Sequence, residues 1–124
     1  GIQEQIDQNT EEQAAVFAVL ADPTRLKLVK LLQRQRGSSA LCVNALASYL
    51  GVTQSAVSQH LRLLKSIGLV KGERRGYHIH YFINRNVLER YRELTADVLH
   101  VAAADEQTNP GNEREQRRAK EQEE

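Results

Sequence analysis

The chain of 124 residues has one cysteine, two prolines, no methionine, no tryptophan and only six aromatic residues, four tyrosines and two phenylalanines. One cysteine excludes an intrachain disulfide and a zinc site made of four cysteines from one chain. No apolar run approaches the roughly 20 residues of a membrane-spanning helix, and the first residues lack the pattern of a secretory signal. The length fits one domain with one modest core, since domains are commonly about 100–150 residues long. These absences favour a cytoplasmic protein in a reducing setting that does not enter a membrane.

The net charge of +1 conceals a strong asymmetry along the chain. Residues 24–75 hold ten lysines and arginines and a single acid, Glu73. Residues 105–124 hold four basic and seven acidic residues. Positive charge concentrated in the middle of a chain makes a polyanionic partner a candidate.

Capping signals predict where the first two helices begin. Thr10 and Gln13 have the spacing of a capping box, in which Thr10 is the cap and Gln13 reaches back. Asp22-Pro23 supplies an N-cap and a proline at the first helical position, where its missing N–H costs nothing. Apolar residues at helical spacing follow each signal, and the second helix is predicted to end near residues 37–39.

Two further helices are predicted around a tight turn. A short extended segment at 40–43 leads into a third helix over roughly 44–50. The turn contains Gly51, and Thr53 is the predicted N-cap of a fourth helix. That helix continues until Gly68, because glycine favours the left-handed conformation that ends helices.

A hairpin and a last helix complete the pattern. Segments 69–75 and 77–83 are predicted strands on either side of Gly76, and the second has apolar side chains at every other position. A fifth helix with an apolar stripe is predicted from about Asn86 to Ala102.

Two helices joined by a glycine-containing turn and followed by a hairpin describe a winged helix-turn-helix. The fold class is mainly α with a β-hairpin wing, in the order helix-helix-strand-helix-helix-strand-strand-helix. The predicted organisation is a flexible N-terminus at 1–9, the winged domain at 10–102 and a polar, charged tail at 103–124.

The fourth predicted helix carries the functional prediction. Its apolar face, predicted to be buried, contains Val57, Leu61, Leu64 and Ile67. No acidic residue occurs between Leu50 and Gly72, which suits a helix that approaches phosphates. The residues predicted to contact or approach bases are Gln54, Ser55, Ser58, Gln59 and His60. His60 is either part of this DNA surface or a support for it. The residues predicted to hold phosphates, including two on the hairpin, are Arg62, Lys65, Arg74 and Arg75.

Four segments together resemble one family. In chain order they are Ala21-Asp22-Pro23-Thr24-Arg25-Leu26, Ser55-Ala56-Val57-Ser58-Gln59-His60-Leu61-Arg62-Leu63-Leu64, Gly68-Leu69-Val70 and Arg75-Gly76-Tyr77-His78-Ile79-His80-Tyr81. This pattern resembles the ArsR/SmtB family of bacterial winged-helix repressors. The resemblance implies a homodimer through the first and last helices, an inverted-repeat operator on double-stranded DNA, and release of DNA when an inducer binds.

The resemblance also implies two positions at which a metal could bind. At the third helix, Leu41-Cys42-Val43-Asn44 keeps one of the family's two thiols, so Cys42 is either a thiol sensor or a small buried residue. In the last helix, Asp97 and His100 have a spacing that could bind zinc or another divalent metal across a dimer. The alternative is a solvent-facing acid and a histidine at the favourable end of the helix dipole.

Two wing histidines, His78 and His80, are two residues apart on one strand, a spacing that either chelates a metal or places surface residues near phosphates. Motifs of hydrolases, metalloproteases and phosphate-binding loops do not occur in the sequence, which argues against an enzyme. The predicted function is therefore a sequence-specific repressor released by a metal, a thiol-directed signal or another ligand. The alternative is a winged-helix interaction module without operator specificity.

Overall fold

The computed structural model describes residues 1–35 and 41–99, and its element order confirms a winged helix-turn-helix. The elements are α1 (Ile2–Asp7), α2 (Thr10–Leu20), α3 (Pro23–Arg34), β1 (Leu41–Cys42), α4 (Val43–Leu50), α5 (Gln54–Ser66), β2 (Val70–Arg75), β3 (His78–Ile83) and α6 (Arg85–Leu99). Residues 1–94 form one compact unit. A second unit begins at residue 95, and the structure describes only its part of α6. The predicted tail at 103–124 lies outside the described residues.

Two predicted N-caps are confirmed by their hydrogen bonds. The Asp22 carboxylate accepts from the backbone N–H of Arg25 at 3.0 Å, and Pro23 is the first residue of α3. Thr53 Oγ1 accepts from the backbone N–H of Ala56 at 3.1 Å. Each bond satisfies a backbone donor that has no partner within its helix. Both helices therefore begin where the sequence indicates.

The predicted capping box at Thr10 is wrong. The N-cap of α2 is Asn9, in the left-handed conformation with φ +65°, and Thr10 Oγ1 donates to the carbonyl of Ile6 at 2.6 Å. Gln13 is buried, and its Nε2 donates to the carbonyl of Leu94 at 3.2 Å. Both side chains thus donate hydrogen bonds to neighbouring helices and do not cap the start of α2.

Two further observations concern the first and the last helix. The polar segment 1–9 contains α1, whose only apolar side chains, Ile2 and Ile6, are exposed. The last helix begins at Arg85, one residue before the predicted start, and Asn84 Oδ1 accepts from the backbone N–H of Val87 at 3.5 Å.

The sheet has the order β1-β3-β2 and is antiparallel throughout. Arg75 pairs with His78, so the wing turn consists of Gly76 and Tyr77 alone. Gly76 has φ +65°, the sign that a two-residue II′ turn requires at its first central position. Alternation in β3 buries Tyr81 and Ile83 but leaves the side chains nearer the turn exposed, because the wing extends beyond the core.

The predicted apolar face of α5 is buried in the core, which holds the helix in place. Three side chains of α5 have at most 1% exposure: Val57, Leu61 and Leu64. They belong to one buried cluster with Leu28 and Leu32 of α3. Within residues 1–35 and 41–99, no helix combines the length and the hydrophobicity that a membrane span needs.

Candidate nucleic-acid interface

The turn before α5 sets the position of that helix. α4 ends with Gly51 in the left-handed conformation at φ +66°, and the backbone N–H of Val52 donates to the carbonyl of Ala47 at 3.2 Å. Thr53 then caps α5. Only three residues separate the two helices, so their relative orientation is defined by this turn and by the shared core.

The surface of α5 opposite the core is polar and cationic. The predicted contact residues that are exposed on it are Gln54, Ser55, Ser58, Gln59, Arg62 and Lys65. The helix contains no acidic residue. This surface, which we call the α5 face, therefore combines hydrogen-bonding groups for base edges with cations for phosphates.

His60 is the predicted contact that the structure does not bring to the α5 face. Its half-buried side chain turns toward the start of α3, with Nδ1 3.2 Å from Arg25 Nη1 and 3.8 Å from Asp22 Oδ2. The backbone N–H of Arg25, the largest favourable influence, lowers the pKa of Asp22, because the hydrogen bond stabilises the carboxylate. This placement puts His60 behind the helix rather than on the α5 face, and its part in DNA binding stays a prediction.

The wing supplies the second cationic surface. Arg74 and Arg75 are both exposed on β2, next to the Gly76 turn. Arg75 Nη2 lies 3.8 Å from Glu73 Oε2, a solvent-exposed pair that contributes little energy. Tyr77, which the sequence analysis did not select, is fully exposed at the turn. Its position beside the turn glycine is the sequence signal that could have predicted this exposure.

The candidate sensor residues do not assemble into a metal centre in the described part of the chain. Cys42 lies opposite His80 in the β1–β3 pair, and Glu73 lies opposite His80 on the other side. His78 is exposed, whereas His80 Nδ1 is buried without a hydrogen-bond partner among the described residues. In residues 1–35 and 41–99, no group of three or more His, Cys, Asp or Glu residues could hold a metal ion.

The second candidate metal pair is only partly described. Asp97 is exposed on α6. His100 lies outside the described residues, so the pairing of these two residues stays a prediction.

A capped helix backed by the core, a three-residue turn before it and a hairpin after it define a winged helix-turn-helix protein. The model of the family described as bacterial regulatory protein, arsR family, matches residues 22–71. The chain belongs to the ArsR family.

Two relatives support this assignment. A transcriptional repressor SmtB homolog from Synechocystis is 44% identical over 85 residues, which cover 68% of this chain and 61% of that protein. The regulator NmtR from Mycobacterium tuberculosis is 34% identical over 101 residues, which cover 79% of this chain and 81% of that protein. The chain thus spans about three fifths of the SmtB homolog.

Solved structures share the fold. A homodimeric winged helix-turn-helix DNA-binding domain from Mycobacterium bovis superimposes with a TM-score of 0.58 at 29% identity. The match covers 81% of this chain and 87% of that domain.

Proposed function

We propose that the chain is a sequence-specific, DNA-binding transcriptional repressor whose α5 enters the major groove. The observation that carries the proposal is the α5 face, where exposed amide, hydroxyl and basic groups occur without an acid, above a buried apolar face. A helix of this kind fits the major groove, whose base pairs present distinct patterns of donors and acceptors. The naming of the SmtB homolog as a repressor supports the same function.

The exposed residues divide into two roles. Those proposed to contact base edges are Gln54, Ser55, Ser58 and Gln59. Those proposed to bind phosphates are Arg62, Lys65, Arg74 and Arg75. The division follows from chemistry, because amides and hydroxyls both donate and accept, whereas the cations attract any phosphate.

A homodimer through the first and last predicted helices, which are α2 and α6 in the structure, completes the proposal. Phe17 of α2 is only half-buried, and the end of α6 exposes Val98 and Leu99. Apolar side chains that remain accessible on these helices are suited to burial against a second copy. A two-fold dimer places two copies of α5 on an inverted-repeat operator.

An inducer would release the DNA by binding more tightly to the DNA-incompetent state than to the competent one. The candidates are zinc or another divalent metal at Asp97 and His100, a thiol-directed signal at Cys42, or a different ligand.

The proposal is tested by selecting duplexes from random sequence with the purified protein. The affinity of the selected duplex is then compared with that of a scrambled duplex at two salt concentrations. We expect an inverted repeat that binds at least about a thousandfold more tightly than the scrambled duplex. Equal affinity for both would reject the repressor function and favour the alternative, an interaction module without operator specificity.

Gln59→Ala is expected to relax base preference at one position of each half-site by about 10- to 100-fold, since a good bidentate contact contributes about 1–3 kcal/mol of discrimination. The measurement is the affinity for operators that carry each base at that position. Lys65→Ala is the matched control, because loss of a phosphate contact weakens all operators equally. A uniform loss for Gln59→Ala would contradict the role given to Gln59.

A further inference from the structure

Arg25 connects three helices through one side chain. Its Nε donates to the carbonyl of Val19 in the last turn of α2, and its Nη1 lies 3.2 Å from His60 Nδ1 in the middle of α5. Its own backbone N–H, at the start of α3, donates to Asp22. The guanidinium therefore links the end of α2 to α5 through partly buried contacts.

The chemistry of this link depends on which ring nitrogen of His60 carries a proton. A guanidinium only donates hydrogen bonds, so Nδ1 of His60 can accept from Arg25 when the ring proton is on Nε2. The Val19 carbonyl is one of the last four of α2, which lack partners inside the helix. Two donors in a fixed planar arrangement meet these two acceptors, a geometry that the single ammonium of lysine does not reproduce.

We propose that Arg25 and His60 are positioning residues for DNA recognition, and that protonation of His60 breaks their link. The inference rests on the proposed function of α5 and adds a control of its orientation. The charged groups that the structure places against His60 are Arg25 and Asp22, both at the start of α3. Protonated Nδ1 is a donor that repels Arg25 and attracts Asp22 Oδ2, now 3.8 Å away. Protonation thus replaces the contact of His60 with Arg25 by a contact with Asp22, and it changes how α5 is held against α3.

Three substitutions test the link at about pH 8, where histidine side chains are generally neutral. Arg25→Lys keeps the charge but removes the planar donor pair, and we expect about tenfold weaker binding to the selected operator, the loss of one charged hydrogen bond. His60→Asn keeps an acceptor near the position of Nδ1 and does not titrate, so its affinity should be close to that of the wild type. His60→Ala, which keeps neither property, should resemble Arg25→Lys.

The decisive measurement is the ratio of operator affinity to scrambled-duplex affinity between about pH 8 and pH 5.5, a range in which histidines take up protons. A ratio cancels the general attraction of added positive charge to DNA. We expect the wild-type ratio to fall by about tenfold at the lower pH, whereas that of His60→Asn stays constant. His78→Asn, which alters an exposed wing histidine, should follow the wild type. Circular dichroism at each pH verifies that every variant is folded.

The outcomes separate this inference from the proposed function. A wild type with no preference for any duplex at about pH 8 rejects both. A wild type that prefers its operator, with Arg25→Lys equally tight or with the same pH-dependent loss in His60→Asn, rejects the positioning role alone.

Discussion

Replacing Arg74 and Arg75 together by alanine is expected to weaken binding to every duplex, whatever its sequence, by roughly 10- to 100-fold at about 0.1 M salt. Both side chains are exposed on β2 beside the Gly76 turn, and the loose pair of Arg75 with Glu73 leaves the guanidinium available to a phosphate. Each lost phosphate contact also removes about 0.9 from the slope of log affinity against log salt. The slope should therefore flatten by about 2.

Titration of a selected and a scrambled duplex at several salt concentrations measures both quantities. The matched control is Lys30→Ala with Arg34→Ala, which removes the same charge from exposed positions of α3, outside the α5 face and the wing. The control should change the slope much less. An unchanged slope in the wing variant would remove Arg74 and Arg75 from the set of DNA contacts.

Leu64→Ala is expected to lower the free energy of unfolding by about 2–5 kcal/mol, because it removes a fully buried side chain and leaves a cavity. Leu64 has 0% exposure in the core that supports α5. The whole stability of a domain is only about 5–15 kcal/mol, so this loss also reduces the folded, DNA-competent population.

Leu63→Ala is a matched control for this variant. The same atoms are deleted one residue earlier on α5, where the side chain is 42% exposed, and we expect a loss below about 1 kcal/mol. Urea denaturation at one protein concentration compares the two, since a dimer unfolds in a concentration-dependent manner. Equal losses would show that α5 does not bury the face that contains Leu64.

Local sequence signals were sufficient to predict most of the helices and strands and the exposed residues of the α5 face. Asp22 and Thr53 are caps because each carries an oxygen three residues before a backbone donor, and both bonds form. The apolar spacing of α5 predicted its buried face, which leaves exposed the polar residues that are proposed to contact DNA. The hairpin was predicted by alternation around Gly76. These features depend on residues close together in the chain, so their patterns are visible in the sequence.

Features that depend on distant residues were not predictable in the same way. Gln13 has the spacing of a capping residue, but its donor meets Leu94, 81 residues later. His60 lies next to residues of the α5 face, but its ring meets Arg25, 35 residues earlier. Short polar helices such as α1 leave a weak pattern, here the i,i+4 pair Ile2 and Ile6. Tertiary contacts decide the positions of Gln13 and His60, and periodicity does not encode such contacts.

We propose that the α5 face and the wing turn are the surfaces that contact DNA. The change in backbone amide NMR shifts of the labelled protein, followed as the selected operator is added, maps these surfaces residue by residue. We expect the largest changes in residues 54–65 and 74–76, with small changes at Lys27 and Lys30 on the exposed side of α3. Large changes on α3 together with an unperturbed α5 would reject the DNA-contacting role of these two surfaces.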